Sequence, residues 1–224
     1  MTLYLSRLTL ARDPGNAALS TLLDPDDPGA AMNAHHQLMW TLFADGPERR
    51  RDFLWRVDGR ARFFALSQRP PNAHPLFDPP EVKEFSPVLA TGDRLSFVLR
   101  ANATKDRARA TKNRRVDLVM DLLHSVPRSE RADARLDLAE KAASEWFARQ
   151  GEAHGFVPHR LEVEGYSTVR LPRKSGSREK ARLGILDLTG TLTVTEPERF
   201  TARLGQGFGR ARAFGCGLML IRRA

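Results

Sequence analysis

Apolar and polar positions alternate over the opening stretch MTLYLSRLTLA, with Leu3, Leu5, Leu8 and Leu10 set between more polar neighbours, and this predicts a strand. A loop rich in Asp, Pro and Gly follows at 24–29. Over AMNAHHQLMWTLFADG the period becomes helical, with Met32, Met39, Leu42 and Phe43 on one side and a stop at Gly46-Pro47. RDFLWRVDG and RARFFALSQ read as the two arms of a hairpin, and VKEFSPVLATGD holds a fourth strand. Between them, PPNAHPLFDPPEV is too rich in proline for a helix of normal length.

The same order then repeats. RLSFVLRANAT is a strand, and RVDLVMDLLHS and DARLDLAEKAASEWFARQGEAHG are helices, the second with Leu136, Ala139, Ala143 and Phe147 at helical spacing. RLEVEGYSTVRLPR and ARLGILDLTGTLTVT are strands around a basic turn, EPERFTARLGQGFGRARAFG begins as a helix and becomes glycine-rich, and GLMLIRRA closes as a strand. Each half is therefore a split βαβ arrangement. The predicted fold class is α+β: two tandem ferredoxin-like (RRM-like) domains, residues 1–92 and 93–224, related by pattern and not by residue identity.

Composition narrows the classes. In 224 residues, 41% hydrophobic, there is enough apolar material for real cores, and no run reaches the ~18 apolar residues of a membrane span. The start is too polar and too regularly alternating for a signal peptide. The lone Cys216 excludes an internal disulfide and is compatible with a reducing cytoplasm. Charge says more. The net charge is +9, yet residues 95–116, 170–182 and 210–224 together carry +15, which leaves −6 on the rest of the chain. Three basic segments on an acidic-to-neutral body form a polyanion footprint if they converge, and three solvated loops if they do not.

GQGFGRARAFGCG, residues 205–217, resembles a phosphate cradle. The dinucleotide fingerprint needs a preceding strand, a following helix and an acid about 20 residues on, and none of these is present. No G-K-[ST] marks a P-loop. What remains is a loop of backbone N–H donors near Arg210 and Arg212, suited to a sugar-phosphate backbone, or a turn whose left-handed positions need glycine. None of the six histidines has metal-ligand spacing with Cys or carboxylates. His35 and His36 lie on opposite shoulders of the helix's apolar centre at ~100° per residue, and periodicity does not choose between them. Such a histidine is an ordinary amphipathic contact or a general acid/base at the rim of a basic groove.

Three segments together resemble the CRISPR repeat-processing endoribonucleases of the Cascade complex, CasE type. They are MTLYLSRLTL followed by HQLMWTLF, the strand end LSFVLRANATK, and G-F-G-R-A-R-A-F-G-C-G-L from Gly207, which is similar to the family's G-h-G-x(5)-G-h-G pattern. The resemblance runs essentially end to end. It implies binding of a CRISPR repeat stem-loop, one cut at the base of the stem, retention of the product and association with other Cascade subunits, with no metal and no small-molecule cofactor. The catalytic histidine carries over onto His36, because His36-Gln37 and Trp40 follow the family's His-Gln-x-x-Trp spacing. Asn102, after Ala101, and Lys105 match the strand-end motif. Ala103 stands where the family often has proline, and Met32 and Asn33 stand where some members place a helper tyrosine. Lys105 or Arg212 is a candidate to stabilise charge at phosphorus.

For RNA binding, the expectation is a clamp of Arg170, Arg173, Lys174, Arg178 and Lys180 on the stem. Arg100, Arg107, Arg109, Lys112, Arg114 and Arg115 lie along the other strand, and Gly207, Gly209, Arg210, Arg212, Gly215 and Gly217 lie along the backbone. Cys216 fills the pattern's hydrophobic slot as a packing residue, and Gly205 ends the preceding helix. The alternative is a non-catalytic RNA-binding scaffold, although no RRM aromatic run is present. With this many cations on phosphate, affinity for a repeat hairpin falls on the order of 10³-fold or more between about 50 and 200 mM salt. Fluorescence titration across that range checks it, and a flat dependence refutes it.

Overall fold

The computed structural model describes residues 2–46, 48–107, 114–172 and 182–224. In the first half, β1 (Tyr4–Thr9) leads through two short helices, α1 (Pro14–Ala18) and α2 (Ser20–Leu23), to the long helix α3 (Pro28–Phe43). The hairpin β2 (Phe53–Val57) and β3 (Arg62–Ser67) follows, then β4 (Glu81–Glu84). The sheet order is β2-β3-β1-β4, every pair antiparallel. Leu8, Phe53, Trp55 and Phe63 face α3 and pack against its Leu38, Met39, Leu42 and Phe43. No helix joins β3 to β4 among the described residues. The proline-rich link instead pins Phe77 into the core, bridged to Leu10.

The second half repeats the topology. β5 (Arg94–Ala101) is followed by a small hairpin, β6 (Thr104–Arg107) and β7 (Arg114–Asp117), then α4 (Leu118–Leu123) and α5 (Arg135–His154). A long hairpin, β8 (Phe156–Arg170) and β9 (Arg182–Val194), leads to α6 (Pro197–Gln206), a 3-10 turn (Arg212–Phe214) and β10 (Met219–Arg223). The order β10-β5-β9-β8 places each strand as in the first sheet, so the chain is two tandem ferredoxin-like units. The outer face of the first sheet, through Leu54 and Leu66, closes on Leu218 of the second half.

Three expectations need correction. Leu136 does not join the buried face of α5: it is 50% exposed, and the buried stripe is Ala139, Ala142, Ala143, Trp146 and Phe147. Met32 leaves the apolar side of α3 and packs on Val169, Ile185 and Cys216 of the second half, so α3 serves two cores. Gly205 lies inside α6, and Gly207 ends the helix with φ of 79°. Cys216 is buried as a packing residue, and burial pushes its thiol up to about 12.

Truncating Phe147, which stacks on Phe97 at 4.7 Å between ring centroids, empties the middle of the second core. Phe147→Ala is expected to cost about 3–5 kcal/mol, whereas Leu136→Ala stays within about 0.5 kcal/mol. Urea unfolding of the two variants beside the parent checks the pair.

Candidate active site

The site is built on α3. Asp27 caps it, its side chain accepting from the Ala30 N–H at 2.8 Å, and Pro28 occupies the first turn. Gly29 lies so close to the Arg170 carbonyl that a Cβ has no room, which seats the helix start against the root of the basic hairpin. One turn further on, the two histidines part company. His35 is buried, edge-on to Phe63 at 5.0 Å and Trp55 at 6.3 Å, with Nε2 3.1 Å from Asp24. Burial lowers its pKa below the usual imidazole value, against the opposing pull of Asp24. His36 is half-buried, and its ring lies 5.4 Å from Phe214 of the glycine stretch and 6.3 Å from Trp40. Tertiary placement thus makes the choice that periodicity leaves open: His36 is the histidine that meets the C-terminal half.

The glycine stretch reaches α3 by threading between the two halves. Gly209 (φ 68°) lies against the Asn102 carbonyl, where a Cβ would sit 2.7 Å from the oxygen. Gly215 (φ 75°) lies on the Trp55 ring, where a Cβ would be at 3.0 Å. Several of the stretch's backbone donors are spent inside the fold. Phe208 N–H donates to Gly217 O, Arg210 N–H to Asn102 O and Gly217 N–H to Arg100 O, at 2.9, 3.0 and 2.7 Å. Gly207, Gly215 and Gly217 are themselves buried. The geometry therefore differs from an open cradle of backbone donors. These glycines set the path of the loop, whose Phe208 and Cys216 are buried while Arg210 is exposed. Ala211, left-handed at φ 52°, starts the turn that carries Arg212 and Phe214, a backbone strain of about 1–2 kcal/mol beside the site.

The basic segments are tied together at their roots. Asn102 is buried; its side-chain amide donates to Gly184 O of β9 at 2.7 Å, and its carbonyl accepts from Arg210. Tyr166 of β8 donates to Asp117 at the end of β7 at 2.8 Å. The small hairpin, the long hairpin and the glycine stretch thus diverge from one region. Their cations differ in availability. Arg100 forms a bidentate pair with Asp187 at 2.7 and 2.9 Å, and Lys105 meets Asp121 at 2.6 Å. Arg115 pairs with Asp106 at 3.1 Å. Arg170 and Arg210 are exposed, and Arg212 Nη1 donates to the Gln206 carbonyl at 2.6 Å. Arg107 and Arg114 are backbone register partners in the β6–β7 ladder. Arg109, Lys112, Arg173, Lys174, Arg178 and Lys180 lie outside the described residues. Sequence reasoning missed Phe214 and Trp55 as site-builders, and also Arg51, whose signal was the run Arg49-Arg50-Arg51.

Two sheets of one topology, clasped by a histidine-bearing helix and a glycine strap, define a tandem ferredoxin-like protein with a histidine at the seam. The chain belongs to the family described as CRISPR associated protein, which matches residues 3–223. It is 26% identical over 193 residues to the CRISPR system Cascade subunit CasE of Escherichia coli, covering 83% of this chain and 89% of that protein. It is 34% identical over 150 residues to the CRISPR-associated endoribonuclease Cse3 of Thermus thermophilus, covering 62% of this chain and 60% of that protein. Among solved structures, Cse3 bound to 19 nt RNA superposes with a TM-score of 0.69 at 23% identity over 99% of this chain and 98% of that one. Cas6e from Escherichia coli superposes with a TM-score of 0.65 at 21% identity over 99% of this chain and all of that one. At these identities the structures speak for the fold.

The burial of His35 has a pH consequence. Its folded pKa lies below the unfolded value of about 6.5, so the unfolded chain binds the proton more readily. Stability from this group is present above that value and is lost as pH falls toward the folded pKa. His154, also lowered by burial, acts with the same sign. His35→Gln is expected to flatten part of the decline in urea midpoint between about pH 7.5 and 5.5; an unaltered slope refutes it.

Proposed function

We propose that this chain is an endoribonuclease that binds the stem-loop of a CRISPR repeat RNA and cuts once at the base of the stem. It then keeps the product as a subunit of a Cascade-type complex. The observation that carries this reading is His36, half-buried on α3 and facing Phe214 in the strap that also bears Arg212. The names of the relatives, Cascade subunit CasE and endoribonuclease Cse3, support the same activity and assembly. We divide the chain near residue 92 into a unit that carries the histidine and one that carries the basic hairpins. We assign it to the cytoplasm; no helix among the described residues is long and apolar enough to cross a membrane.

RNA supplies its own nucleophile. The 2′-OH attacks the adjacent phosphorus and the 5′-oxygen leaves, so the protein aligns the two oxygens, moves a proton and offsets charge. His36 serves as base toward the 2′-OH or as acid toward the 5′-oxygen. Arg212 suits the charge-offsetting role better than Lys105, whose ammonium is already held by Asp121. The long β8–β9 hairpin clamps the stem by shape and phosphate contacts, because an A-form major groove is too narrow for side-chain reading.

His36→Ala is expected to bind the hairpin as before while cleavage falls on the order of 10²–10⁴-fold. The parent's product carries a 2′,3′-cyclic phosphate, EDTA leaves its rate unchanged, and a 2′-deoxy sugar at the cut blocks it. Near-normal cleavage by His36→Ala removes the histidine's assignment. Binding without any cleavage by the parent favours the scaffold reading instead.

A further inference from the structure

Around the glycine strap, three guanidinium groups from three elements come together with no ion pair among the described residues. Arg51 lies just ahead of β2, Arg203 in the last turn of α6, and Arg212 in the 3-10 turn. The fold brings them together for a simple reason. The turn is strapped to β2, with Trp55 Nε1 donating to the Ala213 carbonyl at 3.2 Å. It also folds back on α6, with Arg212 donating to the Gln206 carbonyl. Arg203 is held in place by Gln150 Oε1 at 3.0 Å and by the Phe208 ring, 5.2 Å beneath its guanidinium.

The surrounding arginines are treated differently. Arg49 and Arg69 share Asp52, and Arg199 takes Glu196. Among the described residues no ion pair engages Arg51, Arg203 or Arg212, and buried nitrogens of Arg51 (Nη1) and Arg203 (Nε) have no hydrogen-bond partner. Burial, and then the charge of Arg212, holds both Arg51 and Arg203 below the ordinary arginine pKa. Like charges gathered around unsatisfied buried donors weaken a fold. A phosphate group reverses that cost, since its oxygens accept from several guanidinium forks at once.

We propose that Arg51, Arg203 and Arg212 form one phosphate-binding subsite, on the Phe214 side of His36, that holds a backbone phosphate of the RNA next to the cut. The assignment to RNA rests on the endoribonuclease reading; the anion chemistry does not. Arg212 shares one 3-10 turn with Phe214, so the subsite sits on the same strap as the ring that meets His36. Arg51 and Arg203 are positioning residues in this scheme: they orient the strand and do not transfer protons.

The test uses the full chain, the double variant Arg51→Gln/Arg203→Gln and the charge-keeping Arg51→Lys/Arg203→Lys. In the first arm, inorganic phosphate is added to each and Tm is read. Phosphate is expected to raise Tm of the parent and of the Lys variant more than that of the Gln variant, whose own Tm reports its folding. In the second arm, binding of a repeat hairpin is followed against salt. The Gln variant is expected to bind about tenfold or more weakly, with a log–log slope shallower by on the order of 1, while the Lys variant keeps the parental slope. A parent that cuts repeat RNA while the Gln variant matches it in both arms overturns the subsite and leaves the proposed function standing. A parent whose Tm responds to phosphate as expected but which neither binds nor cuts repeat RNA confirms the anion site, and overturns both its RNA occupant and the endoribonuclease reading.

Discussion

Everything in the candidate site depends on the close passage of residues 207–217 between Trp55 and Asn102. The strap can approach the indole ring on one side and a backbone carbonyl on the other only because Gly215 and Gly209 have no Cβ. The contact does three things at once. It fastens the edge strand β2 to the second half, it holds Asn102 where the basic segments branch, and it sets Phe214 against His36. The two halves are also joined by apolar contacts around Leu54, Leu66 and Leu218 and at Met32, which have no directional preference. The strap supplies the direction.

That geometry sorts equivalent-looking residues into different roles. Two adjacent histidines on one helix end in unlike surroundings, one against Phe63 and Trp55 in the first core and one at the seam. The arginines divide the same way. Those paired across a sheet, as Arg100 with Asp187, have their charge answered inside the fold. Those gathered at the strap have no ion pair among the described residues, and guanidinium groups left unpaired attract an anion. A count of basic residues cannot make this distinction, because it depends on where the carboxylates fall.

Much of the fold is legible in the pattern. Alternation in the strands, the 3.6-residue period in α3 and α5, and the proline block where a helix is missing follow from local geometry, and the structure matches them. Where reading by period fails, the cause is nonlocal. Leu136 continues the stripe of α5, yet it is exposed. Met32 continues the stripe of α3, yet it meets a different core. The donors in the glycine stretch read as free because their acceptors, Arg100 O and Asn102 O, lie about a hundred residues away in the chain. Arg51 carries no local signal of a site because the like charges near it, Arg203 and Arg212, lie even further along the chain.

By itself the sequence determined the order of the main strands and helices, though not the short helices α1 and α2 or the β6–β7 hairpin, together with the segregation of positive charge and the family's glycine pattern, since each of these is written in neighbouring residues. Only the tertiary structure decided which histidine faces the seam, which cations are paired inside the fold, and that the glycines carry a strap between the two halves. Each of these outcomes is set by contacts between segments far apart in the chain, and such contacts leave no period to read.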